Sequence, residues 1–334
     1  MATMKDVALR AGVSTATVSR VLNGHAAPTD ATRERVLTAV AELGYRPNVL
    51  ARSLRMHSTQ TLGLVISDLL NPFFGEIARA VEDEARKHGY CVVFGNADES
   101  DEQQRRYVRT LLDRRVDGLL VCPASDDPEW LAEVNDSGVP LVLLDRAVPA
   151  SDAPVIRADG VAALRELAKH LLSLGHRRIG VIAGPENTST GRERLAAFTS
   201  ALAELGLAAQ ATQIAHGDFR RASGARATGE LLDRPDAPSV LVAMDNLMGL
   251  GALEELRRRR LRLPQDVGLA VYDDLAWFPL FDPPITVIAQ PTEEMGSAAV
   301  RELLGLISGE RAKNVSLSAK LIARGSCGEH GGIA

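Results

Sequence analysis

The stretch MKDVALRAGVSTATVSRVLN, residues 4–23, decides how the rest of the chain is interpreted. Its apolar residues recur at helical spacing in two short runs, and Ala11-Gly12 interrupts the pattern between them. We therefore expect helices over residues 5–11 and 15–22, with Ser14 as the N-cap of the second.

The second helix has an outer face of small or hydroxylated side chains with one long cation. That face carries Thr15, Ala16, Ser19 and Arg20. A helix in the DNA major groove needs limited bulk, and arginine can bind guanine through two hydrogen bonds. An ordinary helical hairpin would show the same pattern, so the stretch alone leaves both interpretations open.

Bulk composition limits the classes of protein to consider. The chain has 334 residues with 46% hydrophobic and 24% charged residues, which are globular values and predict two or three domains. No apolar run approaches about 18 residues, and no apolar segment follows Lys5, so we expect a cytoplasmic protein without a membrane span. Three scattered cysteines are typical of reduced thiols and do not form a metal-binding or disulfide pattern.

Charge is distributed unevenly. Residues 1–58 hold eight Lys/Arg and four acids, net +4, while the remainder holds 30 basic and 39 acidic residues. A cationic head on an acidic body is consistent with a protein that presents only its head to phosphates. A solvated charged helix would also produce this asymmetry.

Two further segments complete the head. Residues 30–44 predict a third helix with Val36, Leu37, Val40, Ala41 and Leu43 on its inner face. Residues 48–55 predict a further helix, which would be too short to be stable alone. Such a segment could form against a second copy and DNA, with Leu54 as an apolar wedge in a minor-groove step. A plain linker with an incidental leucine is the alternative.

From Thr61 onward, short apolar runs alternate with amphipathic helical stretches, which predicts parallel sheets with crossover helices. Eight such runs in about 260 residues indicate two α/β subdomains rather than one sheet. The runs are residues 62–66, 91–94, 119–122, 141–144, 179–183, 240–244, 269–272 and 285–289.

Polar residues follow most of these strands, where ligands bind in open parallel sheets. They are Ser67, Asp68, Asn71, Asn96, Asp145, Arg146, Asp245, Asp273, Asp274 and Gln290. Phe73, Phe74 and Phe219 lie near the same ends. Carboxylates, amides, an arginine and flat rings together suit a monosaccharide. Each strand-end aspartate could instead be an ordinary helix cap.

Several motifs resemble the LacI/GalR family of bacterial transcriptional repressors. They are residues 5–8, 11–14, 16–23, 43–48, 51–54, 71–74, 115–118, 175–176, 264–267 and 290–291. The resemblance covers nearly the whole chain. Within the family, the chain is most similar to the ribose repressors.

The resemblance implies a homodimer that binds a pseudo-palindromic operator. Thr15, Ala16 and Arg20 would read bases, and the wedge role would fall to Leu54 next to Arg55. Ser14, Thr17, Ser19 and Asn23 would be caps or phosphate contacts.

The resemblance also implies three regions: a helix-turn-helix head at 1–47, a hinge helix and linker at 48–60, and a two-lobed core at 61–334 like periplasmic sugar-binding proteins. Lobe 1 would be about 61–157 with 291–322, and lobe 2 about 158–290. The ligand set carried over from the family is Asn71, Phe73, Phe74, Asp145, Arg146, Arg192, Phe219, Asp273 and Gln290. Met244 departs from the ribose pattern, which has Asn there.

We therefore expect an all-α head on an α/β core, acting as a repressor of a carbohydrate-utilisation operon. Ribose or a related sugar would release it from its operator. A corepressor or partner protein that strengthens DNA binding is the alternative, and a stand-alone sugar-binding protein is less favoured. The chain lacks G-x-S-x-G, phosphate-loop and metal-ligand spacings, so no enzyme activity, cofactor or metal is expected.

Overall fold

The structure, a computed structural model, describes residues 2–22, 29–45, 58–207 and 209–328. The chain divides into two compact units, Met1–Thr59 and Gln60–Ala334, called here the head and the core. Three predicted DNA-binding residues, Asn23, Leu54 and Arg55, lie outside the described residues, as does the predicted hinge helix at 48–55. Along the described chain no helix is long and apolar enough to cross a membrane.

Three helices make up the described head: α1 (Met4–Ala11), α2 (Thr15–Leu22) and α3 (Asp30–Glu42). Thr3 and Asp6 form a reciprocal capping box at the start of α1. Gly12 ends that helix at a φ of 65°, a conformation that glycine adopts without a Cβ penalty. Ser14 Oγ accepts a hydrogen bond from Thr17 N at 3.2 Å, as predicted for an N-cap.

The head has a small apolar core in which one valine from each helix is fully buried: Val7, Val18 and Val36. The predicted inner face of α3 is partly wrong, because Leu37 is 47% exposed and Ala41 is exposed. Ala39 is buried in their place. The helical period places positions 36, 39, 40 and 43 on one side, and positions 37 and 41 on the other.

Lobe 1 of the core is built on an entirely parallel six-stranded sheet in the order β11-β5-β4-β3-β1-β2. Its strands are β1 (Thr61–Ile66), β2 (Cys91–Asn96), β3 (Gly118–Val121), β4 (Leu141–Leu144), β5 (Val155–Asp159) and β11 (Val315–Ser318). Helices α4 (Pro72–Lys87) and α11 (Thr292–Ile307) cover one face, and α5 (Asp101–Asp113) and α6 (Glu129–Ser137) the other.

Lobe 2 has a second six-stranded sheet in the order β12-β10-β9-β8-β6-β7, of which only β12 is antiparallel to its neighbour. Its strands are β6 (Ile179–Ala183), β7 (Thr212–His216), β8 (Val240–Ala243), β9 (Gly268–Tyr272), β10 (Thr286–Ala289) and β12 (Lys320–Ile322). Helices α7 (Val161–Ser173) and α8 (Ser189–Glu204) cover one face, and α9 (Arg221–Leu232) and α10 (Asn246–Arg258) the other.

The chain passes between the lobes three times: after β5, after β10, and between β11 and β12. The sequence-based boundary assigned residues up to 322 to lobe 1, and this is wrong for the last strand. Val287 of β10 pairs with Ile322, so β12 belongs to the sheet of lobe 2. Lobe 1 therefore ends near Ala319, which donates a hydrogen bond to Asp159 O at the first crossover.

Candidate functional site

The exposed side of α2 presents the side chains that the sequence assigned to base contacts. Thr15, Ala16 and Arg20 are exposed, whereas Val18 and Val21 are buried beneath them. The helix therefore offers one cation and two small side chains on an outward face.

The two hydroxyls nearest the start of α2 bond to each other. Ser14 Oγ and Thr17 Oγ1 lie 3.0 Å apart, and Ser14 also caps the helix. Ser19 is half-buried on the same helix. Ser14 and Thr17 thus have local structural roles and Ser19 is partly buried, whereas Thr15, Ala16 and Arg20, the positions predicted to read bases, are exposed.

In the core, the carboxyl ends of both sheets meet in a cleft between the lobes. Asn71, at the start of α4 in lobe 1, accepts a 2.8 Å hydrogen bond from Asn246 Nδ2 of lobe 2. Its Nδ2 lies 3.5 Å from Asp245 Oδ2. Asn71 and Asp245 also cap their own helices, at Phe73 N and Met248 N. Both residues therefore act as helix caps and also lie in the cleft between the lobes.

Arg146 is a buried cation at the end of β4. It binds Glu99 through two hydrogen bonds of 2.7 and 2.8 Å and donates to the carbonyls of Pro123 and Ala124. Its guanidinium carbon lies 4.8 Å from the ring centre of Phe219 in lobe 2. Burial disfavours its charge, but the facing Glu99 outweighs this and raises the pKa of Arg146. The arginine therefore stays charged while it bridges both lobes.

Arg194, on the inner side of α8, is the second buried cation. It lies 3.7 Å from Asp145 Oδ1 and 4.0 Å from Asp273 Oδ2, and it donates to Met244 O at 2.9 Å. Its guanidinium carbon is 3.9 Å from the ring centre of Tyr272. One guanidinium thus faces a carboxylate of each lobe, which is the geometry that a hydroxyl-rich ligand can exploit.

The structure does not bring Arg192 into this cluster, so its prediction as the clamp arginine is corrected. Its side chain is 44% exposed and pairs with Asp126 and Glu186 O at the rim. The buried positions of α8 are 189, 190, 191, 194, 198, 201 and 202, which places Arg194 inward and Arg192 outward. Helical periodicity was the signal that could have separated the two arginines.

The remaining predicted ligand residues lie in or beside the cleft. Phe73 and Phe74 are buried with ring centres 5.1 Å apart in an edge-to-face arrangement. Gln290 Nε2 donates to Asp273 Oδ1 at 2.5 Å. Sequence reasoning missed Thr190 in addition to Arg194, and Thr190 Oγ1 is buried with no hydrogen-bond partner among the described residues.

Burial makes two of the cleft carboxyls weak acids. It raises the pKa of Asp245 to about 8, with Asp273 adding to the effect. Burial also raises the pKa of Asp273 to about 6, against the opposing charge of Arg194 and the hydrogen bond from Gln290. Near neutral pH both carboxyls therefore resist ionisation, Asp245 more strongly than Asp273.

Two cavities open on the cleft. One, of about 200 Å³, is lined by Asp145, Thr190, Glu193, Arg194 and Tyr272, together with the first crossover. The other, of about 220 Å³, is lined by Phe73, Glu76, Asp273 and Gln290 and by the loop after β9. No group of three or more His, Cys, Asp or Glu in the described part of the chain is arranged to hold a metal ion.

Comparisons with known proteins agree with this two-part organisation. Residues 3–48 match the family described as "Bacterial regulatory proteins, lacI family", and residues 59–324 match "Periplasmic binding proteins and sugar binding domain of LacI family". The chain belongs to the LacI family. It is a DNA-binding transcriptional repressor with a helix-turn-helix head and a core that has the fold of the periplasmic-binding domain.

Similar LacI-family proteins span nearly the whole chain. The HTH-type transcriptional repressor CytR of Escherichia coli K12 is 35% identical over 327 residues, which is 97% of this chain and 96% of CytR. A lac repressor dimer bound to operator and the anti-inducer ONPF is 30% identical, with a TM-score of 0.86 over 98% of this chain and 99% of that one. A CelR–cellobiose complex is 35% identical, with a TM-score of 0.74 over 98% and 100% of the two chains.

Proposed function

We propose that this LacI-family repressor controls a carbohydrate-utilisation operon in the bacterial cytoplasm and is released from its operator by a small sugar, ribose or a related monosaccharide. The observation that carries the proposal is the buried polar cluster between the lobes, in which Arg194 faces Asp145 of lobe 1 and Asp273 of lobe 2. The resemblance of the core to sugar-binding domains of this family, and to CelR with bound cellobiose, supports a sugar as the ligand.

Arg194 takes the clamp role in this proposal. Its hydrogen bonds to sugar hydroxyls would be charge-assisted, and Asp145 and Asp273 would accept hydrogen bonds from the same ligand. Phe219 and Phe73 supply flat apolar surface at the cleft. Met244 is buried in the apolar core of lobe 2, and its carbonyl accepts from Arg194. The resemblance to ribose repressors implies an asparagine at this position, so an amide contact to ribose would be missing here.

Ligand binding would act by changing how the two lobes are arranged relative to each other. The lobes touch through Asn246–Asn71 and through Arg220, which donates to Asp98 O at 2.6 Å. A ligand that binds one arrangement of the lobes more tightly shifts the population toward it. The predicted hinge with Leu54 would pass that shift to DNA. The alternative is a ligand that acts as a corepressor and strengthens DNA binding.

A homodimer would present two heads to the two operator half-sites. Two apolar surfaces support it: Val93 and Phe94 on the edge strand β2, and Trp277, Leu280 and Phe281 in the loop after β9. Each of these side chains is exposed, Leu280 to 82%. Exposed apolar patches of this kind mark association surfaces, and the similar lac repressor is a dimer bound to operator. We assign both surfaces to a second copy of this chain.

The test is a thermal-shift screen of pentoses and hexoses with the full-length protein, followed by gel-shift titration with a DNA duplex selected from a random pool. The proposal expects a sugar that raises the Tm and weakens DNA binding. A sugar that raises the Tm and tightens DNA binding would replace the inducer assignment with a corepressor. Turnover of the bound sugar would instead indicate an enzyme.

A further inference from the structure

The interior of the cleft holds more buried carboxyls than cations. Arg146 and Glu99 form a bidentate pair, so their charges cancel within that pair. Arg194 is then the one other buried guanidinium of the cleft among the described residues. It interacts with three buried carboxyls, Asp145, Asp245 and Asp273, and Asp145 also lies 4.0 Å from Arg146 Nε. The excess of negative charge must be compensated whenever the lobes are in contact.

Asp245 is the least compensated of the three. Its Oδ1 accepts a 2.8 Å hydrogen bond from Met248 N, but among the described residues its Oδ2 has only Asn71 Nδ2, at 3.5 Å. The adjacent residue also has too few hydrogen-bond donors, because Asn246 Oδ1 is buried and accepts no hydrogen bond in the described chain. Of these two neighbouring acceptor atoms, Asp245 Oδ2 thus has one long hydrogen bond and Asn246 Oδ1 has none in the described chain, and an under-satisfied buried acceptor is costly.

The charged groups around Asp245 do not compensate its negative charge. Asp273 follows β9 and Glu99 follows β2, and both disfavour its charge, whereas Arg194 on α8 opposes them. The lobe 1 group within hydrogen-bond distance of Asp245 is the neutral amide of Asn71. Burial and Asp273 together keep the pKa of this carboxyl near 8, which agrees with the shortage of donors seen in the geometry.

We propose that Asp245 carries a proton when no ligand is bound in the cleft, and that a ligand displaces that proton with its own hydrogen-bond donors. The cleft would thereby select neutral polyhydroxylated or amino-bearing sugars and reject phosphorylated or carboxylated ones. In the exchange, the O–H bond of the carboxyl breaks, its proton goes to solvent, and a ligand O–H or N–H donates to the carboxylate. The proposal rests on the proposed function, since it concerns the ligand of the same cleft.

The first test uses the protein without ligand and compares Asp245→Asn with the wild type. Asparagine keeps the shape and the helix cap but has no charge to lose. Unfolded Asp titrates near 4 and folded Asp245 near 8, so this group makes the wild type less stable as pH rises through that window. The variant should therefore exceed the wild-type Tm by about a few degrees at pH 8, with the gap closing toward pH 4.

Asp218→Asn is the matched control, because Asp218 also accepts a backbone hydrogen bond, from Arg220 N, but is exposed. It should show no gap that opens with pH. An Asp245→Asn profile parallel to the wild type would overturn the proposal. If the variant does not fold, the wild-type infrared spectrum serves instead. A protonated-carboxyl band at pH 7 that vanishes above pH 9 supports the proton, and its absence at pH 7 overturns it.

The second test uses matched compounds in a thermal-shift assay: glucose, glucosamine and glucose 6-phosphate, with ribose and ribose 5-phosphate. We expect a parent or amino sugar to raise the Tm and neither phosphate ester to do so. Calorimetry of a binder at pH 7, in buffers of different ionisation enthalpy, should show release of up to about one proton per site, lost in Asp245→Asn. A phosphate ester that binds more tightly than its parent would overturn the proposal.

The two failures are distinguishable. If no neutral, amino or phosphorylated sugar binds, the sugar assignment of the proposed function is wrong. If a sugar binds but Asp245→Asn changes neither the pH profile nor the proton release, the proposal about Asp245 alone is wrong.

Discussion

Asn246 Nδ2 of lobe 2 donates a 2.8 Å hydrogen bond to Asn71 Oδ1 of lobe 1, joining two residues 175 positions apart in the chain. The same Asn71 oxygen accepts from Phe73 N at 3.0 Å and so caps helix α4. One amide therefore fixes a helix start and connects the two lobes. A change in the arrangement of the two lobes must alter this hydrogen bond. The predicted ligand cluster therefore lies where the two lobes of the core contact each other.

Arg194 and Arg192 give a matched pair for testing the clamp. Arg194→Gln removes a buried guanidinium that faces Asp145 and Asp273, so sugar affinity should fall about 10- to 100-fold. Arg192→Gln removes an exposed pair with Asp126 and should change affinity less than about fivefold. Isothermal calorimetry with the sugar found by screening measures both. Equal losses in the two variants would contradict the inward assignment of Arg194.

Arg20 on the exposed face of α2 should read a base. Arg20→Ala should cost about 1–3 kcal/mol on the selected duplex and much less on random DNA, so that sequence preference is lost. Arg10→Ala removes another head cation, one that pairs with Glu42, and should weaken binding to all sequences alike. Fluorescence anisotropy on both duplexes separates the two effects. A uniform loss for Arg20→Ala would show a phosphate contact instead.

The exposed apolar surfaces should hold two copies of the chain together. Phe94→Asp and Leu280→Asp each place a charge in a surface assigned to the partner copy, so both variants should sediment as monomers at micromolar concentration. Leu205→Lys changes an exposed leucine at the end of α8, outside both surfaces and about as exposed as Phe94, and should leave the assembly unchanged. Analytical ultracentrifugation decides. A monomeric wild type, or dimers of all variants, would remove the dimer assignment.

The sequence predicted the two-part fold because its signals are local. Helical spacing identified α1 and α2, and all eight apolar runs became strands. The missed strands had weak apolar signals: β5 has one buried position, β11 and β12 have none, and β7 has two. The assignment of β12 to lobe 2 depends on a pairing with β10 about 35 residues earlier, which no local pattern encodes.

The strand-end residues of the candidate site could be predicted from their positions along the sequence. The arginine on α8 was missed because its place depends on which side of the helix faces inward. Asp145, Asp273 and Gln290 were found because carboxyl strand ends converge. Arg194 was missed because the motif comparison matched Arg192, two residues earlier, without weighing which side of α8 is buried. The proton on Asp245 needs the three-dimensional distribution of Asp273, Glu99 and Arg194, which a linear sequence does not give.

Acid sensitivity should depend on Glu255 of α10. Hydrogen bonds from Arg258 and Arg259, at 2.6–2.7 Å, lower the pKa of this nearly buried carboxyl to about 2. Its contribution to stability is therefore present above about pH 4.5 and is lost as pH falls toward 2. Glu255→Gln should lower the Tm at pH 7 and flatten its fall below pH 4.5.

The neighbouring Glu254→Gln is the control for that prediction, since Glu254 and its partner Arg221 are both exposed. Thermal unfolding from pH 2.5 to 7 should leave its profile close to the wild type, because exposed pairs contribute little. Indistinguishable acid limbs for Glu255→Gln and the wild type would contradict the assignment of acid sensitivity to Glu255.

The measurement that tests the account most directly is DNA affinity with and without the sugar, in the wild type and in Arg194→Gln. Fluorescence anisotropy on the selected duplex should show about 5- to 150-fold weaker binding with saturating sugar for the wild type. Arg194→Gln should bind the duplex normally and respond less than about twofold. If a sugar that binds the core leaves wild-type DNA affinity unchanged, the cleft does not control the head and the account is contradicted.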